Sequence, residues 1–299
     1  MIDVACAGAA FLDLTFEGLE ELPAPGQERY ARELHSTPGG MAITAVGLAR
    51  LGASTALVAP LGRDLAGSLL RELLEAEGIV WAGPETERTP VTAVLPLGDE
   101  RAMITFEPPA AIAAAEVARL APRAVVAGID RLDLVPRGAV GYAVLGDAHA
   151  DRFAGRLPAA IAGARALIAN RSEAARLTGE ATADGAALVL AESVETAVVT
   201  CGAEGAVAAS GGELVTVPAP SVPARDTTGA GDLLTAGYVW GDLEGRPLAE
   251  RLRRAVVYAA LSVRTATGAG SAATLEELER ALSSLAGEVV QQSSAKEDT

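Results

Sequence analysis

The sequence predicts an α/β fold in which helices sandwich a mostly parallel central sheet and a small β lid covers one edge. In the second half of the chain, short apolar runs alternate with longer helical runs, which is typical of right-handed βαβ units. Half of the 299 residues are apolar, so a large core can be buried. Two segments of the first half, 14–38 and 91–106, break this alternation, and we expect them to form the lid.

Each element follows from its local pattern, taken in chain order. Continuous apolar runs predict strands at 2–10, 55–61, 91–97, 101–106, 124–128, 139–145, 166–169, 196–201, 206–210 and 213–217. Apolar residues at helical spacing predict helices at 40–51, 65–77, 151–162, 172–178, 184–192, 229–241, 247–265 and 274–286. We expect one domain over residues 1–288, and the polar segment 289–299 is expected to be a disordered tail.

Composition and charge exclude several classes of protein. The formal net charge is −15 and the basic residues are dispersed, so we expect no nucleic-acid partner, since polyanion binding needs a basic stripe. Cys6 and Cys201 lie in apolar runs, and His35 and His149 are the only histidines, so neither a disulfide framework nor a multi-histidine metal site is expected. The chain has no apolar run of about 18 residues to span a bilayer, and its start lacks a signal-peptide layout, so we expect a cytoplasmic protein without a membrane partner.

The strongest chemical signal is the segment 226–232, Asp-Thr-Thr-Gly-Ala-Gly-Asp, which leads into an apolar helix. The small residues Gly229, Ala230 and Gly231 let the backbone approach a ligand closely, and free N–H groups at a helix start form an anion site. Asp232 falls in the first helical turn, where the helix dipole favours an ionised carboxylate. Such a pair suits the deprotonation of a hydroxyl beside a stabilised phosphoryl group. A capped turn with a helix-stabilising acid explains the same pattern without catalysis.

This segment resembles the signature of the ribokinase-like carbohydrate kinases, the PfkB family. Weaker matches follow in the expected order along nearly the whole chain: Gly8 and Asp13 around the first strand, the di-glycine segment 39–44, the turn 62–67, the Asn-x-x-Glu segment 170–173, the turn 200–205 and the loop 268–271. Each match alone is a common turn or cap. Their shared order, together with 226–232, favours membership of the family over coincidence.

The resemblance implies an ATP-dependent kinase that phosphorylates a hydroxyl of a small sugar-like acceptor, with Mg²⁺ as a further cofactor. It implies that Asp232 is the catalytic base and that Gly229, Ala230 and Gly231 form the anion hole. The implied acceptor-binding residues are Asp13, Gly39, Gly40, Thr44 and Arg101. The implied nucleotide-binding residues are Asn170, Glu173, Thr200, Gly202, Gly205 and Gly268. Asn170 and Glu173 would help to hold Mg²⁺ through water, Asp226 and Ser271 would hold a K⁺ ion, and the lid is a candidate surface for a homodimer.

Two positions depart from the family's pattern. Thr44 stands where the family usually has Asn, and Met41 stands where ribokinases tend to have Lys. Thr offers one hydroxyl in place of an amide, so it cannot hold two sugar oxygens in the same way. The sequence therefore leaves the acceptor open. A nucleoside kinase of the same fold is an alternative, with candidate base-clamping aromatics at Phe11, Phe16, Tyr30 and Phe106.

Other classes of enzyme lack their motifs. The only lysine is Lys296, which excludes the Gly-x-x-x-x-Gly-Lys loop of P-loop kinases. Gly8 is not followed by the further glycines of a Rossmann dinucleotide site, and no Gly-x-Ser-x-Gly segment of an α/β-hydrolase is present. A non-catalytic sugar- or nucleotide-binding protein of the same fold stays open, although binding alone needs no base at Asp232.

Overall fold

A computed structural model of the protein describes residues 1–97, 100–264 and 268–294. Its strands are β1 (Val4–Ala7), β2 (Ala10–Glu17), β3 (Glu33–Gly40), β4 (Thr55–Val58), β5 (Leu61–Gly62), β6 (Val80–Trp81), β7 (Glu85–Thr86), β8 (Val91–Leu97), β9 (Glu100–Phe106), β10 (Ala124–Gly128), β11 (Val140–Val144), β12 (Ala164–Asn170), β13 (Ala197–Thr200), β14 (Ala206–Ser210) and β15 (Glu213–Val217). Its α-helices are α1 (Met41–Arg50), α2 (Leu65–Ala76), α3 (Ala114–Ala118), α4 (Asp147–Arg152), α5 (Arg171–Thr178), α6 (Ala183–Leu190), α7 (Ala230–Leu243), α8 (Leu248–Ser262) and α9 (Leu275–Ser294). Short 3-10 helices lie at Ile129–Leu134, Ala159–Gly163, Gly202–Glu204 and Gly268–Ser271.

The centre of the protein, over the residues just given, is a nine-stranded sheet in the order β15-β14-β13-β12-β11-β10-β1-β4-β6. The strands from β13 to β6 run parallel to their neighbours, and β14 and β15 add an antiparallel edge. Every residue of β1 and β4 is buried, as expected for parallel strands that carry helices on both faces. The predicted α/β fold class is confirmed. The carboxyl ends of the parallel strands lie at one edge, where ligands bind in open α/β sheets.

A separate four-stranded sheet in the order β3-β2-β8-β9 forms the lid. The two segments that break the βαβ alternation therefore pair with each other, through parallel contacts between β2 and β8. The predicted first strand 2–10 is two strands, because the chain leaves the central sheet after Ala7 and enters the lid at Ala10. The first lid hairpin accordingly spans Ala10 to Gly40, which is wider than predicted. Residues 98–99, between the predicted strands 91–97 and 101–106, lie outside the described residues.

The predicted helix at 151–162 is wrong. In its place are α4, an irregular stretch and the 3-10 helix Ala159–Gly163. Gly155 adopts a φ of 69°, and Pro158 has no N–H to donate, so a continuous α-helix cannot pass through this stretch.

The last helix extends into the predicted tail. Helix α9 continues to Ser294, because the segment 289–294 contains no glycine or proline to end it. The rest of the predicted tail, 295–299, lies outside the described residues. No helix in the described part of the chain combines the length and the apolar character that crossing a bilayer requires.

Helices α1 and α7 pack closely against each other and align the two motif-bearing segments. A Cβ atom at Gly47 of α1 would lie 2.6 Å from Leu233 Cδ2 and 2.8 Å from Ala236 Cβ of α7. Such distances are too short for any side chain, so glycine at this position sets the separation of the helices. The start of α1, which follows the di-glycine segment, is thereby held against the start of α7.

Candidate active site

Helix α7 begins at the glycine-rich segment 226–232 without a side-chain cap. Its N-cap residue Gly229 has a φ of 77°, and a Cβ atom there would lie 3.0 Å from Ile43 Cγ2, so the position favours glycine. The N–H of Ala230 donates to the Thr227 carbonyl at 3.2 Å and closes a tight turn before the helix. The first N–H groups of a helix have no intrahelical partner, so the start of α7 offers backbone donors to an anion.

The carboxyl group of Asp232 is mostly buried in the first turn of α7. Burial is the main cause that raises its pKa to about 7, and the negative charges of Asp13 and Glu173 act in the same direction. A hydrogen bond with the Thr44 hydroxyl opposes this rise. Thr44 Oγ1 lies 3.3 Å from Asp232 Oδ1 and 3.4 Å from the Asp232 carbonyl oxygen. Burial therefore outweighs the ionising effect that the sequence predicts from the helix dipole.

On the lid, Asp13 is mostly buried and lies beside Thr92 of the neighbouring strand β8. Burial raises the pKa of Asp13 to about 6, while a hydrogen bond with the Thr92 hydroxyl lowers it. A Cβ atom at Gly39 would lie 2.2 Å from the Asp13 carboxylate oxygens. Gly40 has a φ of 59°, and a Cβ atom there would lie 2.7 Å from the ring of Phe11. The di-glycine pair thus leaves the space that the carboxylate and the ring occupy.

The lid turns the face that carries Asp13 towards the start of α7. The pairing registers of β2, β8 and β9, with the alternation of side chains along each strand, place Arg101 on that same face. Arg101 Nη1 donates to Thr227 Oγ1 at 3.4 Å. A second contact is the ion pair between Glu17 Oε2 of the lid and Arg225 Nη2, at 3.3 Å. The negative charge of Asp13 raises the pKa of Asp232, so the two carboxyl groups lie near each other where the lid meets the start of α7.

A cavity of about 380 Å³ opens beside the start of α7. The predicted nucleotide-binding residues Thr200, Gly202 and Gly205 line it, together with Ala230 and Gly231 from the predicted anion hole. Much of the remaining wall is apolar and is formed by Pro220, Val222, Leu234, Val256, Ala259 and Val263. An apolar cavity beside backbone donors suits a ligand that carries a ring and a phosphate group.

Asn170 and Glu173 form a reciprocal cap at the start of α5. Asn170 Oδ1 accepts from the Glu173 N–H at 2.9 Å, and Glu173 Oε2 accepts from the Asn170 N–H at 2.8 Å. This capping box accounts for the Asn-x-x-Glu spacing by itself. Glu173 is also buried, and its charge raises the pKa of Asp232. The site therefore holds an excess of carboxylates, which are the donors that Mg²⁺ prefers.

Asp226 and Ser271, the predicted K⁺ residues, lie in loops that meet beside Gly229. Asp226 Oδ1 accepts from the Thr228 N–H at 2.8 Å, and Ser271 Oγ donates to the Gly268 carbonyl at 2.6 Å. The Cα atom of Gly268 lies 3.4 Å from the position of a Cβ atom at Gly229. Both polar side chains thus take part in local turns, and the K⁺ site stays a prediction.

A comparison with protein-family models identifies the family. The model described as pfkB family carbohydrate kinase matches residues 1–128 and 141–275. The chain belongs to the pfkB family of carbohydrate kinases. The resemblance that the motifs carry is thereby confirmed, and members of this family are phosphotransferases.

Individual relatives agree with the pfkB assignment. A ribokinase from Haemophilus influenzae is 28% identical over 286 residues, which cover 86% of this chain and 92% of the relative. A nucleoside kinase from Methanocaldococcus jannaschii superposes with a TM-score of 0.77 at 19% identity, over 95% of this chain and 99% of that one. An E. coli protein assigned as a ribokinase II, in complex with ATP and Mg²⁺, superposes with a TM-score of 0.78 at 18% identity, over 95% and 99% of the two chains. These two structures share the fold with this pfkB kinase.

Motif spacing did not reveal every residue that this pfkB kinase brings to the site. Thr92 contacts Asp13, but a threonine in a hairpin has no distinctive spacing. Thr227 lies in the segment 226–232, but nothing in that segment indicates its contact with Arg101 of the lid. The apolar residues that line the cavity likewise have no distinctive spacing, so the sequence does not distinguish them from residues of the core. Thr44, which the resemblance assigns to the acceptor, contacts Asp232.

Proposed function

We propose that this pfkB kinase transfers the γ-phosphoryl group of ATP to a hydroxyl of a small sugar or sugar-like acceptor. The observation that carries the proposal is the position of Asp232. Its carboxyl group lies at the uncapped start of α7, whose first residues line the apolar cavity, and it shares the opposite space with Asp13 of the lid. A base between a donor cavity and an acceptor space suits phosphoryl transfer.

In the proposed reaction, Asp232 accepts the proton of the acceptor hydroxyl. The hydroxyl oxygen forms a bond to the γ-phosphorus, the bond from that phosphorus to the β–γ bridging oxygen breaks, and ADP leaves with that oxygen. The backbone N–H groups of Gly229 and Gly231 stabilise the negative charge on the transferring group, and the N–H of Ala230 shares its hydrogen between the Thr227 carbonyl and that group. A pKa of about 7 keeps a substantial fraction of Asp232 ionised at neutral pH while making it a stronger base than an exposed Asp.

Asp13 binds the acceptor, together with the backbone of Gly39 and Gly40. Arg101 holds the lid over the acceptor through its contact with Thr227. The carboxylate of Asp13 accepts hydrogen bonds from acceptor hydroxyls, which are charge-assisted and therefore strong.

Asn170 and Glu173 would hold Mg²⁺ in part, through water, and the ion would neutralise charge on the triphosphate. The burial of Glu173 and its effect on Asp232 support this role, as does the E. coli neighbour that binds ATP and Mg²⁺. Asp226 and Ser271 would hold K⁺ in the paired loops beside Gly229. The ion would then act on the geometry of the loop rather than on ATP.

A nucleoside is the second candidate acceptor. Phe11 supports it, because its ring packs against Gly40 on the lid face that carries Asp13, where a base could stack on it. The other predicted aromatics give less support. Tyr30 is 81% exposed, and Phe16 and Phe106 alternate to the outer face of the lid.

A homodimer through the lid is a further part of the proposal. The outer face of the lid carries Phe16 with the exposed apolar residues Leu34, Ile104 and Phe106. Leu34, Ile104 and Phe106 are 57%, 70% and 48% exposed, respectively. Exposed apolar residues grouped on one face are typical of a protein interface. Burying it against a second copy would cover the apolar surface and stiffen the lid.

The deciding experiment is an ADP-release assay with ATP, Mg²⁺ and a panel of sugars, sugar acids and nucleosides. We expect one chemical class to stimulate ADP release far above the rate without acceptor. The Asp232→Asn variant, assayed in parallel, distinguishes this activity from contaminating ATPases. Nucleotide binding with no acceptor-dependent ADP release would contradict the kinase and favour a binding protein of the same fold.

A further inference from the structure

One face of α1 contacts the loop 268–273 at two points. Near the start of the helix, Ile43 Cδ1 lies 3.5 Å from the position of a Cβ atom at Gly268, and Ile43 Cγ2 lies 3.0 Å from that of Gly229. Arg50 follows two helical turns later, so it projects from the same face. The loop that touches Gly229 is therefore also held from its far side by the end of α1.

The contacts of Arg50 are specific and directional. Arg50 Nη1 donates to the carbonyl oxygens of Gly270 at 3.2 Å and of Ala272 at 2.5 Å. The other edge of the guanidinium pairs with Glu77, which follows α2: Nε lies 2.9 Å from Oε2, and Nη2 lies 2.6 Å from Oε1. Both side chains are only 25% exposed. A fork-to-fork pair of this kind fixes the plane of the guanidinium and aims Nη1 at the two carbonyls.

A second group ties the same two segments together. The Tyr258 hydroxyl lies 3.0 Å from the Gly47 carbonyl oxygen of α1 and 2.9 Å from the Ala273 carbonyl oxygen. The loop is thus tied to α1 through three of its carbonyl groups, besides the packing of Ile43: Arg50 binds those of Gly270 and Ala272, and Tyr258 bridges that of Ala273 to α1. Both ties lie outside the donor cavity and the acceptor space.

We propose that Arg50 is a positioning residue for phosphoryl transfer. It fixes the loop 268–273 against the Thr228-Gly229 backbone and so sets the direction of the N–H donors at the start of α7. This inference rests on the proposed function, because those donors matter to the rate only if they stabilise the transferring group. Without Arg50, two carbonyl groups lose a charged donor, and the loop that supports Gly229 is free to shift. A misplacement of about 1 Å can cost roughly 100-fold in rate.

The test compares Arg50→Gln with Arg50→Lys, Tyr258→Phe and a matched control, Arg123→Gln. Arg123 also forms an ion pair, with Asp3 at 2.9 Å, but at the amino ends of β1 and β10, the opposite edge of the sheet. We expect Arg50→Gln to lower kcat by about tenfold or more while the KM values for ATP and acceptor change less than about threefold. Arg50→Lys should recover part of kcat, because its ammonium can still donate to a carbonyl. Tyr258→Phe should cause a smaller loss, and Arg123→Gln should leave kcat unchanged.

Amide hydrogen exchange gives a readout that does not depend on activity. In Arg50→Gln, amides of 226–232 and 268–273 should exchange faster than in the wild type, while those of β1 and β10 keep their rates. Unchanged exchange in both segments would overturn the inference, even if the wild type showed no kinase activity. An active wild type with a kcat of Arg50→Gln within about twofold would overturn it equally. Absence of acceptor-dependent ADP release from the wild type, with faster exchange in the variant, would instead count against the proposed function alone.

Discussion

The two sides of the candidate site differ in the chemical groups that line them. The proposed donor side is a cavity with apolar walls, such as Val256 and Ala259, and with backbone groups at the start of α7. The proposed acceptor side is the polar region between the lid and the central sheet, where Asp13 and Asp232 are mostly buried and have raised pKa values. Backbone donors and apolar walls suit a ligand with a phosphate group and a ring, whereas hydrogen bonds from side chains of the lid depend on which hydroxyl groups the acceptor carries. The comparison explains why the donor is easier to propose than the acceptor.

The largest expected effect lies at the boundary of the two sides. Asp232→Asn should lower kcat by about 10²–10⁴-fold, because the amide cannot accept the proton of the hydroxyl. Nucleotide affinity should stay near that of the wild type, since the cavity walls are unchanged. Steady-state kinetics and calorimetric titration with ATP measure the two quantities. A variant that kept more than about a third of the wild-type kcat would show that Asp232 is not the base.

Thermal unfolding is the control for Asp232→Asn, and the direction follows from the pKa. The ordinary pKa of an Asp carboxyl group is 3.8, and the folded protein raises the pKa of Asp232 to about 7. The folded state therefore holds the proton more tightly, and stability falls as the pH rises from about 4 to about 7. The Asn variant lacks this loss, so at pH 8 it should melt no lower than the wild type. A lower melting temperature would attribute the lost activity to unfolding.

Asp13→Asn should affect only the acceptor side. The loss of a charged hydrogen bond costs about 1.5–3 kcal/mol, so the KM for the acceptor should rise by roughly 10- to 150-fold. The KM for ATP should change less than about threefold, because Asp13 belongs to the lid. Initial rates over a two-dimensional matrix of substrate concentrations separate the two values. An equal rise in both would indicate that Asp13 supports the fold and not the acceptor.

Ala259→Leu should have the converse effect: it should raise the KM for ATP and leave the KM for the acceptor nearly unchanged. The added atoms would occupy part of the cavity that the proposed nucleotide fills, and a steric cost of about 1.4 kcal/mol would raise the KM for ATP by about tenfold. The acceptor KM should stay within about twofold. Ala249→Leu is the matched control, because Ala249 is exposed on the same helix α8 and lies away from the cavity. An equal change in the KM for ATP in both variants would show that the cavity is not the nucleotide site.

The sequence predicts the donor side better than the acceptor side, and the reason is physical. Gly202, Gly205 and Gly229 have positive φ values that favour glycine, so the turns they form leave a trace in the sequence. The contact of Thr44 with Asp232 joins residues 188 positions apart and depends on the packing of α1 against α7. No local pattern encodes such a distance. The pKa of Asp232 is hidden for the same reason, since burial is a property of the assembled fold.

The pairing of the lid strands is likewise not predictable from local sequence. Alternation in 91–97 predicts a strand but not that β8 pairs in parallel with β2, which puts Thr92 beside Asp13. The predicted helix at 151–162 fails because Gly155 and Pro158 interrupt its apolar spacing. At this position, glycine and proline predict the end of a helix more strongly than the apolar spacing predicts its continuation.

The smallest expected effect tests whether Thr44 tunes the base. Thr44→Val removes the hydroxyl that bonds to Asp232, and that hydrogen bond lowers the pKa of the carboxyl group. The pKa should therefore rise, and the acidic limb of the kcat/KM profile, which reports the free enzyme, should move to higher pH. The rate on the plateau above the limb should change little, because the ionised base is still present there.

Two further variants determine the sign of this shift. Thr44→Ser keeps the hydroxyl and should leave the acidic limb where the wild type has it. Asp13→Asn removes a negative charge that raises the pKa of Asp232, so its limb should move to lower pH, opposite to Thr44→Val. Opposite shifts would tie both groups to one carboxylate and join the two sides of the site through it. If Thr44→Val lowered kcat/KM equally at every pH and reordered the acceptor panel, Thr44 would read the acceptor and not tune the base.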